Sequence, residues 1–259
     1  MFHRAKKFVR SKDYVADFCS NKENAERWIK FRGRTGYNYR HQHSFFERIV
    51  DEVKIEEGTR VLDLCCGEGA LFRYYKEKHP GLEFDGHGLD VSFWFLKYIN
   101  QEMPWVQTVQ GDAFKLPYAD GSFDLVFDIS ISGMFPYVEY EKIMAEINRV
   151  LKPKGRRVTR HNNPLSLYHL IEQAKYDFVK HAYTRSAARE QENRMGFSIL
   201  NFIGDYLAPS WFFYRHEQSG LHKWIPDWFR LIAFYFDVKV LARLFPWFTA
   251  SLIVESQKR

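Results

Sequence analysis

The chain has 259 residues, 46% of them hydrophobic, enough for one large domain, or a domain with a cap, to bury a full core without metals or disulfides. Its three cysteines, Cys19 and the adjacent Cys65 and Cys66, exclude a disulfide framework and a four-ligand zinc site and point to a reducing compartment. The net charge of +6 conceals an acidic middle: Val61 to Leu151 holds 7 Lys or Arg against 14 Asp or Glu, which leaves +13 on the flanks, suited to an anionic acceptor, a nucleic acid, an anionic membrane or a plain solvated surface.

In the first ten residues Arg4, Lys6, Lys7 and Arg10 have no apolar run behind them, unlike a secretory signal, and no uncharged stretch reaches the roughly 20 residues of a membrane span. A cytoplasmic protein is expected, with peripheral membrane contact allowed. Asn21 then precedes a helical stretch with Ala25, Trp28 and Ile29, Gly33 and Gly36 interrupt it, and helical periodicity resumes from His43 to Val53. Residues 1–59 therefore read as a helical cap.

From Arg60 the pattern becomes short apolar runs alternating with amphipathic stretches: Arg60 to Leu64, Glu83 to Leu89, Trp105 to Gln110, Phe123 to Ile129 and Arg156 to Arg160. That rhythm predicts a parallel α/β sheet over residues 60–161. Residues 162–222 break it with a long, helical-looking segment rich in aromatic and basic residues, read as a lid inserted after strand five. In residues 223–259, Pro226 to Phe234 predicts a helix, and Asp237 to Leu244 with Trp247 to Ser256 predict an antiparallel hairpin turning at Phe245-Pro246.

The strongest local signal is Val61-Leu62-Asp63-Leu64-Cys65-Cys66-Gly67-Glu68-Gly69, an apolar strand entering a glycine turn that opens a helix at Ala70. Glycine lets backbone pass close to a ligand, and the helix amino terminus offers unpaired N–H groups, which is what a nucleotide site demands. Asp90 ends the next strand, 21 residues after Gly69, where a carboxylate can accept from both ribose hydroxyls; Asp112, in Gly111-Asp112-Ala113, ends the third and can accept from an adenine amino group. Taken singly, each Asp could be a cap or turn former. In order, they converge on one crevice at the carboxyl edge of the sheet.

These segments resemble the class I S-adenosylmethionine-dependent methyltransferases, particularly the small-molecule and quinone branch, a Rossmann-like fold. Asp120-Gly121-Ser122-Phe123-Asp124-Leu125-Val126 and Glu146 to Gly155 resemble two further motifs of that family. The resemblance implies S-adenosylmethionine as cofactor, Asp63 near its methionine moiety, Gly67 and Gly69 beneath it, Asp90 with Val91 at the ribose, Asp112 and Ala113 flanking the adenine, and Asp128 near the sulfonium. Cys65 stands where the family usually has its first glycine, so that the backbone there need not take positive φ. Tyr37 is a candidate to close over the methionine end.

No His, Cys and carboxylate cluster has metal spacing, so no metal is expected. A hydroxyl or carbon acceptor calls for a base, and His161, with His41 or His43 in the cap, is placed by this reading at the crevice mouth. The acceptor is expected to be a small, glycan-type or amphiphilic molecule methylated at oxygen, with a quinone-like ring carbon as alternative. The aromatic and basic runs Trp211 to Arg215 and Trp224 to Arg230 suit an amphiphilic acceptor or a membrane interface. Basic flanks with interleaved aromatics leave RNA binding as the less favoured rival.

Overall fold

The structure, a computed structural model, describes residues 21–32, 44–129, 131–166, 182–207 and 226–259. Helix α1 (Lys22–Arg32) is capped by Asn21, whose side chain accepts from the Asn24 N–H at 3.1 Å, and α2 (Ser44–Glu52) follows. Alternating units then lay down β1 (Arg60–Leu64), α3 (Ala70–Lys78), β2 (Asp85–Asp90), α4 (Phe93–Glu102), β3 (Gln107–Gln110), β4 (Phe123–Asp128), α5 (Tyr137–Val150) and β5 (Leu151–Asn162). After β5 come α6 (Arg185–Arg194), β6 (Phe197–Gly204), α7 (Asp227–Phe236), a π-helical turn (Asp237–Leu241), the short α8 (Ala242–Leu244) and β7 (Ser251–Lys258).

The seven strands form one sheet in the order β3-β2-β1-β4-β5-β7-β6. The first five are parallel, as the alternating pattern predicts, and β7 runs antiparallel between β5 and β6. Strand order reverses between β1 and β4, and the crevice outside the carboxyl ends at such a switch point is where open α/β sheets take ligands. Apolar layers cover both faces: Ile49, Phe72, Tyr75 and Phe127 lie in one, Leu62, Tyr140, Ile143 and Phe197 in the other.

Two expectations are corrected at the carboxyl-terminal side. Asp237 to Leu244 is helical, so the last strand does not pair with it; β7 pairs with Phe197–Gly204 instead. The segment read as a helical lid therefore supplies an edge strand of the sheet, beside helix α6. The antiparallel ending exists, but its strands are some fifty residues apart in sequence rather than a hairpin. Trp211 to Arg215 lie outside the described residues.

Candidate cofactor crevice

Strand β1 delivers Asp63 and the glycine turn to the carboxyl edge. Cys65, Gly67 and Gly69 all take positive φ (57°, 54° and 72°), so the backbone at Cys65 does adopt the conformation that the sequence reading did not require of it. A non-glycine residue there carries strain of about 1 kcal/mol or more, sustained by the bonds around it. The Cys66 N–H donates to the Leu89 carbonyl at 3.1 Å, and the Gly67 N–H donates to Asp90 Oδ2 at 2.9 Å. At Gly69 an added Cβ would strike Met103 and Ile99 of the α4 region, whereas over Gly67 it would meet nothing within 4 Å. The Met103 methyl end could shift aside, so it is chiefly the positive φ that favours glycine at Gly69, while Gly67 leaves an open cradle.

Asp90 accepts from Ser92 N–H through Oδ1 (2.9 Å) as well as from Gly67, and each oxygen keeps a further lone pair for a hydroxyl donor. Burial raises its pKa, and the backbone bonds from Ser92, Gly67 and Val91 oppose the rise. Val91 follows, half-buried, its carbonyl accepting from Gln110 Nε2 at 3.0 Å. Asp112 uses Oδ1 to accept from its own turn, at Phe114 N–H (3.0 Å), and Ala113 beside it is buried. The loop beyond is pinned from α5: Glu146 accepts from Leu116 N–H at 2.7 Å, while Arg149 donates to the carbonyls of Leu116 and Tyr118. The structure thus gives Glu146 and Arg149, quoted above only as part of a motif, the work of shaping the Asp112 loop.

Asp63 is buried and accepts no hydrogen bond from the described residues. Burial, and then the neighbouring carboxylates Asp90 and Glu68, push its pKa well above the ordinary value, and no cation among the described residues offsets them. Glu68, missed at the sequence level because it stands between two glycines like any turn residue, is also buried. Three gathered carboxyl groups beside an open glycine cradle fit a ligand that brings positive charge and a ribose. S-adenosylmethionine has both, with a sulfonium and an ammonium, and supplies a methyl group on a positively charged sulfur. Asp63 would face its charged methionine end, Asp90 its ribose and the Asp112 loop its adenine.

Two other candidates lie in the interior. Asp128 is fully buried on the α5 side of the sheet, paired through Oδ2 with Arg157 (2.8 Å) and accepting from the Tyr140 hydroxyl (2.6 Å). Its bonded oxygen thus serves the core rather than the crevice. His161 is likewise wholly buried, because β5 runs two residues past the predicted end; its ring lies 4.2 Å from that of Tyr183, and burial with the Arg157 charge lowers its pKa to about 3. It is not at the crevice mouth. Tyr37, His41 and His43 lie outside the described residues.

Known proteins share the family and the fold. The family model for a methyltransferase domain matches residues 61–155, from β1 through the turn inside β5. Demethylmenaquinone methyltransferase of Staphylococcus aureus is 30% identical over 168 residues, 61% of this chain and 67% of that one. The enzyme of that name from Lactobacillus johnsonii is 35% identical over 121 residues, 44% of this chain and only 48% of its own length, so this chain spans about half of that relative. The magnesium protoporphyrin IX methyltransferase of Synechocystis, solved with bound SAH, shares the fold over 96% of this chain and 99% of that one, at a TM-score of 0.60 or above (0.63) and 14% identity. The chain belongs to the class I S-adenosylmethionine-dependent methyltransferases. S-adenosylmethionine is its cofactor. Among the described residues no group of three or more His, Cys, Asp or Glu could hold a metal, and no helix is long and apolar enough to cross a membrane.

Proposed function

We propose that the chain methylates a ring carbon of a lipophilic, quinone-like acceptor in its reduced, hydroxylated form. The observation that carries this reading is the 168-residue match to an enzyme named for demethylmenaquinone, which favours the ring-carbon alternative over the oxygen acceptor that the sequence alone suggested. The acceptor side of the crevice is compatible with it. The start of α5, beyond β4, and the segment after β5 present exposed Tyr137, Val138 and Leu165. An electron-rich ring carbon would attack the methyl group in line, the S–CH3 pair leaving with the sulfur as a neutral thioether and the ring hydrogen departing as a proton to water. Holding ring and methyl in that alignment supplies most of the rate gain. Asp63, Asp90 and the Asp112 loop would fix the cofactor, and the apolar edge would take the ring. A lipophilic acceptor resides in a bilayer, so peripheral membrane contact accompanies this function.

The test is label transfer from methyl-labelled cofactor into a lipid extract, with the product's bond type determined by NMR. Label on a ring carbon is the expected result. Label confined to methoxyl groups, or to water-soluble products, would replace this acceptor with another.

A further inference from the structure

Among the described residues, one long exposed apolar row lies outside the cofactor-binding turn. Trp228, Ile232, Phe236, Val240 and Leu244 recur every fourth residue through α7, the π-helical turn and α8, and all five are between 38% and 64% exposed. Phe245, Trp247 and Phe248, also exposed, continue the strip beyond α8. A soluble surface seldom leaves so long an apolar row uncovered. The opposite face fixes which way the row points: Asp237, Val238 and Ala242 are fully buried, and the Asp237 carboxylate accepts from Leu207 N–H at 2.9 Å. Lys239 pairs with Asp51 of α2, and Arg243 with Glu52 at 2.9 Å, so the segment is tied down at its flanks.

We infer that this strip is a docking surface for an anionic lipid bilayer. Charge selects the occupant. Among the described side chains from Trp228 to Phe248, those that reach the surface are apolar or aromatic apart from Lys239 and Arg243, which pair with Asp51 and Glu52 at the flanks, and the one acid, Asp237, is buried, so no exposed carboxylate of this segment opposes an anionic surface. With a chain charge of +6, such a face is attracted to an anionic leaflet, and Trp228 and Trp247 near its two ends are the residues that favour the depth of lipid headgroups. Position supports the same occupant. Asn163, just past the carboxyl end of β5, donates to the Trp247 and Thr249 carbonyls (both 2.8 Å), so the strip ends at the edge of the sheet where the acceptor side opens. A molecule dissolved in the bilayer would reach that edge without crossing water.

This inference goes beyond the proposed acceptor and is read without turnover. Full-length protein is sedimented with vesicles of equal parts phosphatidylglycerol and phosphatidylcholine, and with phosphatidylcholine alone, for the wild type and for Ile232→Glu and Phe236→Glu; melting temperature, cofactor affinity and solution mass are measured in parallel. Expected are binding to the anionic vesicles, weakening with added salt, and a loss of at least about tenfold in either variant at unchanged melting temperature and cofactor affinity. Wild type that ignores the anionic vesicles overturns the inference, as does undiminished binding by both variants. A lowered melting temperature in both would show that the strip is covered by the chain itself. A wild-type dimer made monomeric by either substitution would assign the strip to a second copy. Vesicle binding with no quinone-directed activity would leave this surface standing and remove only the proposed acceptor.

Discussion

The Gly67 N–H donates to Asp90 Oδ2 across 2.9 Å, so the residue expected to hold the ribose also fastens the glycine turn after β1 to the end of β2. Ligand binding and local structure share one carboxylate. Asp90→Ala leaves the N–H groups of Gly67 and Ser92 without their acceptor, at about 1–3 kcal/mol for each that stays buried. Calorimetry and melting curves together should show a lower melting temperature and a loss of at least about tenfold in cofactor affinity. A folded variant that binds the cofactor as tightly as wild type would place the ribose elsewhere.

Asp63 gives a pH signature. Its folded pKa is raised above the ordinary carboxylate value of about 4, so its contribution to apo-protein stability is complete below about pH 4 and is lost as pH rises through the raised value. Asp63→Asn should therefore melt higher than wild type at neutral pH, with the gap closing toward pH 4, yet bind the cationic cofactor more weakly. Wild type should also release protons on binding at pH values below the raised pKa, because a nearby positive charge favours the carboxylate. Titrations in buffers of different ionisation enthalpy measure this, and proton uptake would contradict it.

His161 behaves in the opposite sense to a catalytic base. Held neutral with a pKa of about 3, against an ordinary histidine value of about 6.5, it destabilises the fold as pH falls below 6.5, by about 2 kcal/mol at pH 5. His161→Phe, which keeps a ring against Tyr183, should reduce the acid sensitivity of the melting temperature and leave the pH–rate profile between 6 and 9 unchanged in shape. A lost inflection in that profile would restore the base role.

Arg157 is wholly buried between Asp128 and Glu192 and also donates to Tyr140. Removing the cation alone by Arg157→Met strands two carboxylates in the core and should cost about 3–5 kcal/mol. Adding Asp128→Leu and Glu192→Leu should recover much of that loss. If the triple variant melts no higher than the single one, the destabilisation arises from packing rather than from uncompensated charge.

The parallel half of the sheet was legible because each of its units is local: a run of apolar residues, a turn and an amphipathic helix, with α3 starting as read, at Ala70. Asp63, Gly67, Asp90 and Asp112 were legible for the same reason, each standing at a strand end. The carboxyl-terminal third was not. Asp237-Val238-Lys239-Val240 alternates polar and apolar residues like a strand, yet continues a fourfold spacing from Trp228 that only a helix satisfies. Phe197–Gly204 becomes a strand through pairing with Ser251–Lys258, and such distant pairing leaves little trace in local pattern. The inward turn of Asp128 and His161 likewise depends on which face of the sheet α5 and α6 cover.

The most direct measurement is calorimetric titration of the wild-type chain with S-adenosylmethionine, its demethylated product and NAD. A crevice lined by Asp63, Asp90 and the Asp112 loop should bind the first two at a single site and leave NAD unbound, since the gathered carboxylates Asp63, Asp90 and Glu68 oppose an anionic pyrophosphate. Binding of NAD with no heat from either sulfur cofactor would contradict the assignment of this crevice.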